Sequence, residues 1–193
     1  MASERDEVYR AVWRADLAMI DPTRLVFVDE SGTNIAMSPR YGRAPRGERV
    51  QGEAPRNWGM NTTLLAALTP AGISTALVVE GATDRAVFDV FVKELLVPTL
   101  RPGQIVVWDN LSVHKSQRAR EVIEEADCEV VFLPAYSPDF NPIEQAFSKL
   151  KSWLRQQEAR TVEQLWDAIG AGLGRITTSD ARGWYRHCDY PLS

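Results

Sequence analysis

Ile105-Val106-Val107-Trp108-Asp109 is an unbroken apolar run that ends in a carboxylate, and Leu25-Val26-Phe27-Val28-Asp29 writes the same pattern earlier in the chain. Short runs without polar alternation suit central strands covered on both faces. Neighbouring strands of one sheet lie about 4.8 Å apart, so an acid closing each run brings two carboxylates near one another. Ligand sites in α/β sheets also form there, beyond the carboxyl ends of the strands. Downstream, Asn141-Pro142-Ile143-Glu144 opens a helix and supplies a third acid. If Asp29, Asp109 and Glu144 converge, they form a cage that suits two divalent cations and phosphodiester chemistry. Each acid also has a plainer reading. Asp29 can open a turn toward Ser31-Gly32, and Asp109 can cap the segment after it. Glu144, with Asn141 as N-cap and Pro142 at the first helical position, matches a capping box.

Working outward from these runs, the pattern predicts a helix over 4–19, a strand over 25–29, the Ser31-Gly32 turn, and a second strand near 34–38. Runs 62–68 and 73–79 flank Thr69-Pro70-Ala71-Gly72, where Pro and Gly stand as a hairpin turn requires. Thr83 caps a helix whose apolar stripe is Val87, Phe88, Phe91, Leu95 and Leu96, ended by Pro98 and Pro102-Gly103. After the 105–108 strand come a helix over about 115–126, a strand over 129–133 and a loop over 134–140, which together make a strand-helix-strand unit. Helices over 141–157, 162–173 and 179–187 complete the chain. This order of elements fits an α/β fold, a mixed five-stranded sheet flanked by helices in the ribonuclease H-like arrangement. Residues 1–24 read as a helical lead-in, and 25–193 as one domain.

At 193 residues and 45% hydrophobic, the chain can build one genuine core; a chain of this size buries about 70% of its unfolded surface. Its two cysteines, Cys128 and Cys188, lack the spacing of a disulfide framework or a zinc site, and His187-Cys188 reads as structural. No cationic leader and no bilayer-length apolar run is present, which points to the cytoplasm and to no membrane partner. A net charge of -4 argues against a simple basic DNA-coating protein. The distribution matters more than the sum. Arg40, Arg43, Arg46, Arg49 and Arg56 face only Glu48 and Glu53, interleaved with glycine and proline. That stretch is a cationic loop or hairpin, or simply a solvated surface loop.

On the predicted 141–157 helix, Glu144 shares a face with Ser148, Lys151 and Arg155, while Ile143, Phe147, Leu150 and Leu154 form the other. A carboxylate flanked by cations fits a metal site beside a phosphate-binding surface. Asn110 and His114 come just after the second acid, either to orient a metal ligand or contact a phosphate, or in a satisfied structural place. Trp58 and Tyr136 have the chemistry to stack on an unpaired base, but packing is the expected role for aromatics in a core of this size. Nucleophile-elbow, phosphate-loop and dinucleotide-binding patterns are absent.

Asp29-Glu30-Ser31-Gly32, Asp109-Asn110 with His114, and Tyr136-Ser137-Pro138-Asp139-Phe140-Asn141-Pro142-Ile143-Glu144 together resemble the catalytic domain of a DDE transposase of the mariner superfamily, in its bacterial insertion-sequence branch. The 34 residues between Asp109 and Glu144 match the family's spacing. Phe140 replaces a frequent leucine and Phe147 a frequent tryptophan. The resemblance implies a ribonuclease H-like fold, with Asp29 and Asp109 holding two Mg²⁺ or Mn²⁺ ions and Glu144 completing the shell of the second ion. It also implies cleavage at transposon ends, strand transfer into double-stranded target DNA at a TA dinucleotide, and a homo-oligomer on DNA. Arg40, Arg43, Arg46, Lys151 and Arg155 are the candidate DNA contacts. The family's N-terminal helix-turn-helix domain has no room before the first strand. A second-frame catalytic half served by a separate upstream helix-turn-helix polypeptide, an excised catalytic half and a decayed copy all fit. The rival readings are an inactive DNA-binding or oligomerisation remnant, and a metal-dependent nuclease that cleaves without joining.

Overall fold

Both apolar runs become fully buried strands at the centre of one sheet. The computed structural model describes residues 6–17, 19–49, 51, 55–109 and 116–192. Its strands are β1 (Leu25–Thr33), β2 (Thr62–Thr69), β3 (Gly72–Glu80), β4 (Ile105–Trp108) and β5 (Glu129–Phe132), in the order β3-β2-β1-β4-β5. β3, β2 and β1 run antiparallel, while β1, β4 and β5 run parallel. The sheet is therefore mixed and five-stranded, as the alternation of elements predicts.

Period-two alternation divides the core into two layers. Leu25 and Phe27 of β1 and Ile105 and Val107 of β4 face helices α1 (Glu7–Leu17), α4 (Ile143–Gln157) and α6 (Thr178–His187) through Trp13, Phe147, Leu150 and Tyr185. Val26, Val28, Val106 and Trp108 face the opposite layer of Phe88, Phe91, Val92 and Ile123. That layer is built by α2 (Arg85–Val90), which widens into a π-helical turn over Phe91–Leu96, and by α3 (Gln117–Glu124). α5 (Val162–Leu173) packs on α4. None of the described helices is long and apolar enough to cross a membrane.

Three local expectations change. The predicted strand at 34–38 does not form, because β1 continues through Ser31 and Gly32 to Thr33, paired with Leu64, Thr63 and Thr62 of β2. The antiparallel partner satisfies the backbone of Ser31-Gly32 more completely than a turn would. The reversal moves to Asn34, whose side chain accepts from the Ala36 N–H at 3.0 Å. Asp84 rather than Thr83 caps α2, accepting from the Val87 N–H at 2.9 Å. α4 starts at Ile143 without a side-chain cap, so the Asn141/Glu144 capping box is not made. Near the other end of the chain, Cys188 is buried beside Gln145, and burial pushes its thiol up to about 11.

Candidate active site

The β1–β4 register sets the first two acids side by side. Val28 pairs with Trp108 across the parallel ladder, so Asp29 and Asp109 occupy the next step. Asp29 lies on the same side of β1 as Leu25 and Phe27, toward α4. It does not end its strand, since four more residues come after it in β1. Asp29 is only 6% exposed, and a buried carboxylate needs hydrogen-bond donors. One oxygen accepts from the Glu30 N–H at 2.7 Å, and the other from the Asn141 side-chain amide at 2.8 Å. Asn141 therefore spends its amide on Asp29 rather than on the helix end.

Glu144 sits on the exposed first turn of α4, where the helix dipole favours a negative charge. Asp29, Asp109, Asn141 and Glu144, with the 133–138 segment, line one cavity of about 430 Å³. Among the described residues, no three His, Cys, Asp or Glu side chains are gathered tightly enough to grip a metal ion. The three acids share a pocket without closing into a cage. Asn110 and His114 lie outside the described residues.

The loop that brings Asn141 and Glu144 to the pocket is held from several sides. Its turn, Pro138–Phe140, is covered by α1, where the side chain of Arg10 is 1% exposed. Arg10 donates to Ser137 Oγ at 2.5 Å and to both Asp139 oxygens at 3.1 and 2.6 Å. Its guanidinium also lies 4.2 Å from the centre of the Phe140 ring. The bond to Asp139 holds the Arg10 guanidinium above its ordinary pKa. From the other end of the chain, the buried Tyr190 hydroxyl donates to the Phe140 carbonyl at 2.7 Å.

Beside the acid pocket, Arg40, Glu144, Phe147, Ser148, Lys151 and Arg155 line a second depression of about 220 Å³. Burial, and then the nearby Arg40 charge, lower the Arg155 pKa, so two cations sit close together on this surface. The loop that delivers Arg40 is rooted by Arg160, which donates to the Ile35 and Met37 carbonyls at 3.4 and 3.1 Å and to Ser38 Oγ at 3.3 Å. Arg43 and Arg46 are exposed farther along this loop and line neither depression.

Packing is the wrong role for Trp58 and Tyr136, which are 64% and 57% exposed. Trp58 comes after an Asn57 turn outside any strand or helix, and Tyr136 takes a left-handed φ of 54° on the pocket wall. A positive φ is uncommon for a residue with a side chain and marks a segment fixed by its surroundings. Sequence reasoning missed two residues that shape the site: Asn141 as the partner of Asp29, and Arg10. The Asn-Pro-Ile-Glu segment pointed to Asn141 with another role attached, whereas nothing local marked Arg10.

The sequence profile of the DDE superfamily endonuclease family matches residues 24–166. None of the curated protein sequences compared matches the chain. Among solved structures, the chain is similar to the Mos1 transposase paired-end complex with left transposon end, at 18% identity and a TM-score of 0.77, covering 97% of this chain and 58% of that one. It is similar to the Mos1 strand transfer complex at 18% identity and a TM-score of 0.73, covering 96% and 58%. A structure of the Mos1 transposase catalytic domain and raltegravir with Mg matches at 17% identity and a TM-score of 0.67, covering 97% and 90%. The fold is thus the ribonuclease H-like one of that catalytic domain, and the chain spans little more than half of the longer Mos1 chains.

Proposed function

The chain belongs to the DDE superfamily endonuclease family, and from that premise we propose that it is the catalytic domain of a transposase that cuts transposon ends and joins them to target DNA. The observation that carries the reading is the pocket shared by Asp29, Asp109 and Glu144 on adjoining elements. The described pocket lining offers carboxylate, amide, hydroxyl and backbone oxygens and no thiolate or imidazole. That donor chemistry fits Mg²⁺ or Mn²⁺. Asp29 and Asp109 would hold two ions between them, with Glu144 completing the shell of the second. When bound, the ions would supply an activated water or 3′-hydroxyl and offset charge on the leaving oxygen during in-line displacement.

The chain's own residues account for the rest. The Asn141 amide holds the Asp29 carboxylate in one orientation. Glu144, exposed on the first turn of its helix, would complete the metal shell from the pocket wall. Lys151, Arg155 and Arg40 offer cations to the backbone phosphates next to the reacting one, and Arg43 and Arg46 extend that positive surface along the loop. Asn110 and His114 are proposed to orient the second acid or a phosphate. The exposed Tyr136 ring on the pocket wall is suited to stack on a base displaced at the cleavage site.

The proposal extends to placement in the bacterial insertion-sequence branch and to double-stranded DNA as partner, with TA as target. It includes a homo-oligomer that pairs two ends, a separate upstream helix-turn-helix polypeptide for end recognition, and a cytoplasmic site of action on the nucleoid. Support for DNA as the partner comes from the family match and from the similar Mos1 structures, which were solved with a transposon end and as a strand transfer complex.

One assay separates the readings. The chain is incubated with a pre-nicked transposon end, a TA-containing target and Mn²⁺. Joined product is the expected result. Cleavage without joining would recast the protein as a nuclease, and inertness beside DNA binding would recast it as a binding remnant.

A further inference from the structure

We infer that Arg10 is a positioning residue for the active site: α1 clamps the 137–141 loop so that Asn141 stays bonded to Asp29 and Glu144 stays at the pocket. This rests on the metal-dependent reading of the three acids.

Arg10 lies outside the segment shared with the family, 24–166, yet it is the most thoroughly buried cation described. Its guanidinium engages Ser137 and both oxygens of Asp139 and stacks on Phe140. These three residues all lie within the four positions before Asn141. The fork geometry matters, because a bidentate arginine fixes the plane of the carboxylate it holds as well as its distance. Each loop residue is thereby fixed in turn. Ser137, whose hydroxyl accepts from Arg10, also donates to the Ala135 carbonyl at 3.2 Å, which ties the pocket wall to the clamp. Phe140 is also held through its backbone carbonyl, which accepts from the Tyr190 hydroxyl. The next residue donates its amide to Asp29, and Glu144 comes one turn later, its N–H bonded to the Asn141 carbonyl at 3.2 Å.

A bond that served stability alone could lie anywhere on the surface of α1. This one is aimed at the segment that sets the orientation of a metal-ligand carboxylate. Partners that orient metal ligands from outside typically account for about 10- to 100-fold in metal affinity or activity. Arg10 acts one step farther out, through Asn141.

The test uses the whole chain and three readouts: Mn²⁺ titration by calorimetry, the ¹H–¹⁵N side-chain amide signal of Asn141, and amide exchange over 135–142. Arg10→Met keeps the apolar stem and removes every donor. It is expected to weaken Mn²⁺ binding about tenfold, shift the Asn141 signal and speed exchange in the loop, with Arg10→Lys falling between it and the wild type. Asp139→Asn, nearly isosteric, is expected to move all three readouts the same way. Wild-type Mn²⁺ affinity together with an unmoved Asn141 signal in a folded Arg10→Met or Asp139→Asn protein would overturn the inference. So would failure of both variants to fold, which would make the bond purely structural. If the wild-type chain bound no Mn²⁺, the metal-dependent reading would fall, while the Asn141 signal and loop exchange would still decide whether Arg10 positions the loop.

Discussion

The two sides of the acid pocket are built in opposite ways. On the sheet side, Asp29 is buried, accepts two hydrogen bonds, and is backed by a loop that α1 and Tyr190 hold in place. On the helix side, Glu144 and the cations around it are exposed or half-buried, and Arg40 arrives on a loop fastened at its root by Arg160. A buried carboxylate must be satisfied before any ligand arrives, because an unmet acceptor costs about 1–3 kcal/mol, and more when charged. An exposed glutamate or arginine is satisfied by water and can wait. The sheet side is therefore preorganised, and under the proposed function the helix side would be organised by the metal and phosphate it receives.

The three acids should matter most on either side of that division, and the sheet side should be set apart by Asn141, whose loss should cost stability as well as metal affinity. Asp29→Asn and Asp109→Asn, with Glu144→Gln as the helix-side counterpart, should each reduce strand cleavage by more than about a hundredfold, beyond the usual cost of losing an outer partner of a metal ligand. Circular dichroism should report an intact fold in each. Residual activity near wild type in any one would remove that acid from the site. Asn141→Ala should lower metal affinity about 10- to 100-fold, and should also destabilise the chain by roughly 1–3 kcal/mol in urea, because it removes a hydrogen bond to a buried carboxylate. Metal affinity unchanged by Asn141→Ala would erase the distinction between the two sides.

Helix-side substitutions should speak through salt rather than stability. Lys151→Ala or Arg155→Ala should reduce the slope of log affinity for duplex DNA against log salt by about 0.9 for each phosphate that the variant no longer neutralises. Unfolding midpoints should hardly move. A large stability loss without a change in slope would mean that these cations serve packing.

The smallest effect expected is on acid stability, at a pair remote from the pocket. The Lys149 ammonium, with help from Thr177, holds the Asp180 carboxyl at about 2, and Asp180 completes the capping box at the start of α6. A carboxyl whose pKa is lower in the folded state contributes stability that is fully present above its unfolded pKa, about 3.9. That contribution is lost as the pH falls from there through the folded value of about 2. Asp180→Asn should cost up to about 1 kcal/mol at neutral pH, the range of a partly exposed ion pair, and flatten the acid limb of the stability curve between about pH 4 and 2. An unchanged acid limb would show that the Lys149 pairing has no energetic weight.

Much of the fold was legible in the chain because it rests on local pattern. The short apolar runs at 25–28 and 105–108, the turn residues of the hairpin around Pro70 and the helical period of α4 are each set by a few neighbouring positions. The misreadings came where a local signal met a distant partner. Ser31-Gly32 reads as a turn until β2 pairs with it, and Asn141 reads as a cap until Asp29 lies within reach. Trp58 and Tyr136 read as core by composition, but their backbone carries them outward.

The amino-acid sequence by itself determined the kinds of element, their order and the three acids, because hydrophobic period, turn chemistry and residue type act over a few positions. Only the tertiary structure decided which side chains hold those acids in place. Asn141 meets Asp29 across 112 residues and Arg10 meets Asp139 across 129, and neither bond has a local periodicity to announce it. Such bonds exist because the sheet register and helix packing close those distances, and burial then requires each charged or polar group to find a partner.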